Sequence, residues 1–339
     1  MRCLWLWGVG LLLALLVLGC GGGSEAATTA VSSEAPKEHR PLSPKHPRHI
    51  YVTLDGWQGP ENAGMLMAQE RGYFTHAGLE TSIWSPAKPE RPVGYVDIGT
   101  DDLGISHEPE VVLAQEKGAK IVIVGSLISQ PTAALIWAKK SGISDVADLK
   151  GKTIAYPGLP FQERFLEKVL ATGGLTLSDV TIEDVGYELV QALVSGQADA
   201  IFGGSGNMEA IELESQGVQP VVTPVQDFGI PAYDELVVIA RTDEVSEEPE
   251  MVRAFMSAVT RGNAAAVEDP KAVFGILGFN ADANPETSPK ALRAQIQATN
   301  PLLSEDGRVD PEQAQSLVDW MHEEGMIEEE VPVETLLAK

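Results

Sequence analysis

From Ile50 onward, short apolar runs alternate with stretches in which apolar residues recur every three or four positions. The runs Ile50–Leu54, Leu79–Ile83, Leu103–Ser106, Lys120–Val124, Thr153–Ala155, Ala200–Phe202 and Leu236–Ala240 have the length and composition of buried strands. Between them, Glu61–Arg71 carries Ala63, Leu66, Met67 and Glu70 at helical spacing, with Gly72 as its stop. Pro109–Lys117, Glu163–Thr172, Glu188–Ser195 and Met208–Gln216 read as further helices. After Arg241 the alternation ends. Pro249–Glu268, Pro289–Thr299 and Pro311–Glu324 follow in series, each with proline in its first turn, where the missing N–H costs nothing. This pattern predicts an α/β protein with largely parallel sheets and a helical C-terminal block. The chain is expected to cross between two halves near Leu127–Trp137 and again near Ala232–Ile239. One half would hold residues 50–130 plus 236–339, and the other residues 133–232.

The N-terminus has a different pattern. Arg2 precedes an apolar run from Leu4 to Leu18, the layout of an export signal and too short to span a bilayer comfortably. Val17-Leu18-Gly19-Cys20 resembles a bacterial lipobox, which implies removal of residues 1–20 and acylation of Cys20. Residues 21–49 contain almost no large apolar side chain and read as a flexible tether. The folded part should begin near Ile50. The 339 residues suffice for two domains, and the 44% hydrophobic content suits a large core. A formal charge of -25 excludes nucleic acid as a partner, because phosphate contacts need clustered Lys and Arg. Both cysteines, Cys3 and Cys20, lie in the N-terminal segment, so the folded part holds no disulfide, cysteine metal site or thiol nucleophile.

Several segments resemble one family. They are LDGWQGPENAG from Leu54, followed by Glu70-Arg71-Gly72-Tyr73-Phe74 and Gly78-Leu79; Asp102–Ser106; Asp148-Leu149-Lys150-Gly151-Lys152; Gly196-Gln197-Ala198-Asp199-Ala200; Gly203–Gly217 with Asn207 and Glu209; and Ile230–Val237. Together these are similar to the solute-binding lipoproteins of bacterial ABC importers that are related to thiamine-pyrimidine-precursor synthases. Sulfonate binders are more distant members. The resemblance implies a two-lobed periplasmic-binding-protein (type 2) fold. It also implies a monomer that is lipid-anchored outside the cytoplasm, captures a small molecule, and delivers it to an ABC permease and its ATPase. No enzyme activity, cofactor or metal is expected. The Asn207/Glu209 segment and Pro231-Ala232-Tyr233-Asp234-Glu235-Leu236-Val237 point to binders of pyrimidine precursors or riboflavin. Pyrimidine binders usually carry a Trp-Thr-Pro-Asn-type turn with a nearby histidine; here the turn reads GWQGPEN over Gly56–Asn62. The cysteine- and histidine-rich motif of the fungal synthases is absent.

Ligands of open α/β sheets sit beyond the carboxyl ends of the strands. That rule selects Asp55–Asn62, Ser106–Glu108, Tyr156–Phe161, Gly203–Asn207 and Ile230–Asp234. Trp57, Phe161 and Tyr233 are either stacking surfaces for a flat heterocycle or packing residues. Asp55, Glu61, Glu209 and Glu235 are acceptors for an aminopyrimidine or a flavin imide. Equally, Asp55 could cap the next element, and Glu209 and Glu235 could be surface or helix-end charges. Asn62, Ser106, His107 and Asn207 complete the polar set. His107 is read as a pocket residue rather than a catalytic one. Gly158 and the run Gly203–Gly206 allow close backbone approach, to an anion or simply within a tight turn. A thiamine pyrimidine precursor is the leading ligand, riboflavin the second, and a sulfonate or other anion the third. From other classes, a cofactor-precursor synthase and a sensor-input protein remain as alternatives.

Overall fold

The computed structural model describes residues 41–89, 91–280 and 287–338. The expected signal peptide, Cys20 and most of the tether lie outside these residues. Ten strands form two five-stranded sheets. The first contains β1 (Arg48–Thr53), β2 (Leu79–Trp84), β3 (Leu103–Ser106), β4 (Ile121–Ile128) and β10 (Leu236–Arg241) in the order β2-β1-β3-β10-β4. The second contains β5 (Ala133–Ala138), β6 (Thr153–Tyr156), β7 (Thr181–Asp184), β8 (Ala200–Ser205) and β9 (Pro220–Pro224) in the order β7-β6-β8-β5-β9.

Both sheets are mixed, which corrects the largely parallel expectation. β1 pairs in parallel with β2 and β3, and β6 does so with β7 and β8. The strand that enters from the other sheet runs the opposite way. β10 lies antiparallel between β3 and β4, and β5 lies antiparallel between β8 and β9. Only residues 129–132 and 225–235 link the sheets, so most of the first predicted crossing is strand. β5, AALIWA, is fully buried and apolar. A run of that kind shows no alternation to mark it as a strand.

β1 begins at Arg48, and Leu42 packs against the core near it, so order starts earlier than Ile50. The first predicted helix opens as a 3-10 turn, Pro60–Asn62, before Ala63–Glu70 becomes α-helical. The C-terminal block gains a helix, Pro270–Leu277, directly after Pro249–Glu268; Asp269 caps it through the Ala272 N–H. Helix Pro249–Glu268 crosses Ala63–Glu70 closely because both chains are glycine at the crossing. A Cβ on Gly64 would strike Asn263, and one on Gly262 would strike the Gly64 carbonyl. That contact fixes the helix behind the Asp55–Asn62 turn. Among the described residues, no helix is long and apolar enough to cross a membrane.

Candidate functional site

Opposed sheets with reversed entry strands concentrate chain ends at one cleft. The carboxyl ends of β1 and β3 point there, and so does the amino end of β10, because Val237 pairs with Ser106. From the other side come the carboxyl ends of β6, β7 and β8 and the amino end of β5, where Ala133 pairs with Ser205. These ends enclose a cavity of about 490 Å³, within the usual range for small-molecule sites. Its acidic lining residues are Asp55, Glu61, Glu188, Glu209, Glu212 and Glu235, with His107 among them. No Lys or Arg lines it among the described residues.

Glu235 immediately precedes β10 and lies at the junction of the two linking segments. Its carboxylate accepts the backbone N–H groups of Thr132 (2.6 Å) and Ala133 (3.0 Å), the Tyr233 hydroxyl (3.3 Å) and His107 Nδ1 (3.1 Å). Burial opposes its charge, but the hydrogen bond and charge of His107 and the two N–H groups outweigh that and hold its pKa below the ordinary value. For His107, burial alone would favour the neutral ring. The hydrogen bond and charge of Glu235, followed by Asp55 and Glu110, reverse this and raise it to about 9. The pair is thus imidazolium against carboxylate. Glu235 is therefore a structural acceptor as well as a cavity residue, and not a surface charge.

Three more carboxyls converge on this pair. Burial raises Asp55, partly offset by His107. Burial, then the charges of Asp55 and Glu209, push Glu61 to about 8, so it carries a proton at neutral pH. Burial also raises Glu209, countered by hydrogen bonds from the Ser205 N–H (2.7 Å) and hydroxyl (3.1 Å). The cavity can therefore present a protonated carboxyl beside an ionised one. That combination offers both a donor and an acceptor to a ring nitrogen and its exocyclic amine.

Of the residues singled out in the sequence, Asp55, Trp57, Glu61, Asn62, His107, Glu209 and Glu235 line the cavity. Asp55 caps no helix, since Gly59 holds the N-cap position of the following turn. Ser106, Phe161, Asn207 and Tyr233 sit behind the wall. Ser106 donates to Glu110 (2.6 Å) beneath the sheet edge. Phe161 is buried in a file of rings running from His107 (5.2 Å) through Phe161 and Phe165 to Tyr233. Tyr233 is fully buried and directs its hydroxyl at Glu235. Asn207 donates to Glu61 Oε1 (3.1 Å) and Thr299 Oγ1 (2.9 Å), so it positions Glu61 from across the cleft. Gly158 takes a positive φ between cavity residues Pro157 and Leu159, crowded by the Asp184 carboxylate. Gly203 lines the cavity, and a Cβ there would strike the Gln162 amide, so the glycine makes room for a side chain.

Sequence reasoning missed Tyr187, Gln162 and Glu212. Tyr187 follows β7 and donates its hydroxyl to the carbonyls of Asp55 (3.2 Å) and Pro86 (3.3 Å). Its ring lies 5.8 Å from that of Trp57, tilted by 54°. It ties the second-sheet side of the cleft to the first. Gln295, in helix Pro289–Thr299, adds a bond to the Met208 carbonyl (3.2 Å).

This pair of sheets, each completed by a strand returning from the other, defines a two-lobed periplasmic-binding-protein (type 2) fold. The alkanesulfonate-binding protein SsuA from Xanthomonas axonopodis pv. citri, solved bound to MOPS, has the same fold. It superimposes with a TM-score of 0.69 at 16% identity, over 86% of this chain and 98% of that one. The sequence matches the NMT1/THI5 like family over residues 59–273, and the chain belongs to that family. A formylaminopyrimidine-binding protein of Halalkalibacterium halodurans is 30% identical over 290 residues, covering 84% of this chain and 88% of that protein. A 4-amino-5-hydroxymethyl-2-methylpyrimidine phosphate synthase of Schizosaccharomyces pombe is 29% identical over 230 residues, covering 64% and 65%. Its relatives thus include both a binding protein and a synthase.

Proposed function

We propose that this chain is the extracytoplasmic binding component of an ABC importer and that it captures an aminopyrimidine related to the thiamine pyrimidine. The observation that carries the reading is the cavity chemistry. Asp55, Glu61, Glu209 and the His107–Glu235 pair converge at a ligand-sized space with no Lys or Arg among the described lining residues. An aminopyrimidine brings N–H donors and basic ring nitrogens to such carboxyls. Its flat face suits Trp57 and Tyr187 at the cleft. The formylaminopyrimidine-binding relative supports the same ligand class. Residues 50–130 with 236–339 would form one lobe and residues 133–232 the other, closing about the two linking segments. Acylation at Cys20 would hold the protein at the membrane. A sulfonate is disfavoured, because no guanidinium or ammonium waits to neutralise it. Riboflavin is the second reading, favoured by a cavity roomy enough for a larger ring system.

The test is titration calorimetry of the purified protein with formylaminopyrimidine, 4-amino-5-hydroxymethyl-2-methylpyrimidine, riboflavin and an alkanesulfonate. Binding of a pyrimidine with the flavin and sulfonate silent is the expected outcome. Binding of the sulfonate alone would end the reading, and turnover of any compound would move the chain among the synthases.

A further inference from the structure

Two buried cavity residues outside the cluster just described keep an acceptor without a protein partner. Gln162 lies in the first turn of helix Pro160–Thr172, and Glu212 lies one turn beyond Glu209 in helix Glu209–Ser215. Both line the cavity from the second-sheet side, and they are only 2% and 4% exposed. Each keeps one acceptor without a partner, Oε1 of Gln162 and Oε2 of Glu212. The second Glu212 oxygen is already used, by Ser215 and Gln216 at 3.3 Å each. A buried acceptor without a protein partner is unfavourable unless another group reaches it, and native chains rarely keep two on one wall without a use. The use is legible in the charge of the cavity. All its ionisable side chains other than His107 are acids, and His107 is already committed to Glu235. A ligand reaching this wall gains by bringing N–H groups and loses by bringing negative charge.

We infer that Gln162 and Glu212 are specificity-determining contacts that admit an N–H-rich, unphosphorylated heterocycle and reject its phosphate ester. This rests on the aminopyrimidine reading and narrows it. Gly203, at a positive φ, is part of the arrangement because it leaves the space that the Gln162 amide occupies.

The experiment compares 4-amino-5-hydroxymethyl-2-methylpyrimidine with its phosphate ester by calorimetry on the purified protein and on the variants Glu212→Gln and Gln162→Leu. The wild-type protein is expected to bind the ester at least about 100-fold more weakly than the alcohol, the cost of an uncompensated anion in an acidic site. Each variant should lose about tenfold or more for the alcohol, with the melting temperature of the unliganded protein no lower than wild type. The two residues sit on different helices, so misfolding of one variant leaves the other as the test. Equal affinity for alcohol and ester, or full affinity in both variants, overturns the inference and leaves the pyrimidine reading standing. If riboflavin binds and neither pyrimidine does, the pyrimidine reading fails. The same comparison then passes to riboflavin and riboflavin phosphate, where equal binding would again overturn the selection against phosphate.

Discussion

The two walls of the cleft use their polar groups in opposite ways. On the first-sheet side, Glu235 receives four hydrogen bonds from protein groups, and His107 is held by both its carboxylate and its backbone carbonyl. On the second-sheet side, Gln162 and Glu212 each retain an unused acceptor. The Glu235–His107 pair is satisfied by protein groups alone, whereas Gln162 and Glu212, like the Asn62 amide nitrogen on the first side, keep a group without a protein partner. A satisfied buried network rigidifies its surroundings, and an unsatisfied one marks a place where a missing partner belongs. Orientation therefore belongs to the first wall and discrimination to the second.

Glu235→Gln should break the comparison most sharply. It removes the charge that balances buried His107 and unsettles the clasp on Thr132 and Ala133. A loss of about 3–5 kcal/mol in unfolding free energy is expected, measured by urea denaturation without ligand. A loss below about 1 kcal/mol would mean that the first wall is no more committed than the second.

Above weakly acidic pH, stability should fall as pH rises. The folded-state pKa of His107, about 9, lies above its ordinary 6.5, so its contribution is complete below 6.5 and is lost as pH rises through 9. Glu61 and Glu108 stand at about 8 against 4.5, chiefly through burial, so the folded state holds their protons more tightly and loses stability between those values. Glu235, with its lowered pKa, contributes in the opposite sense, and its share is lost only as pH falls below the ordinary carboxylate range. The melting temperature should peak at weakly acidic pH and decline steadily to pH 9. A maximum on the alkaline side would contradict these assignments.

Glu209→Ala tests the boundary between the walls, since Glu209 anchors Ser205 and also faces the cavity. It should cost about 1.5–3 kcal/mol in pyrimidine affinity by calorimetry, with a smaller change in melting. Tyr187→Phe should have the smallest effect. It removes one hydroxyl proton shared between two carbonyls across the cleft, worth about 1 kcal/mol, and should appear as faster ligand release in stopped-flow fluorescence. An unaltered release rate would mean that Tyr187 does not help to hold the cleft shut.

The strand ends that carry the first wall were readable in the residues, and what was not readable has a physical reason. β3, β6, β8 and β10 are short apolar runs beside glycine, polar turns or helical periodicity, so the strand-end rule reached His107 directly and stopped just short of Glu209 and Glu235. β7, TIED, is a half-exposed edge strand, and β9, PVVTP, is bounded by prolines. Neither shows the buried run that marks a strand. Losing β7 hid the loop after it and so hid Tyr187. Gln162 and Glu212 lie inside helical turns, where a polar residue normally faces solvent, and only the packing shows that they turn inward. Conversely, Phe161 and Tyr233 follow the strand-end rule in sequence but are drawn into the ring file below the cavity. The rule locates a segment and cannot say which way one aromatic turns.

The insertion of β10 between β3 and β4 also bears on how the protein is made. During translation, the ribosome releases the whole second sheet, residues 133–224, before the strand that completes the first. The sheet synthesised first must wait, unfinished between β3 and β4, for residue 241, while its later companion already has every strand it needs. Assembly is therefore expected to proceed from the middle of the chain outward.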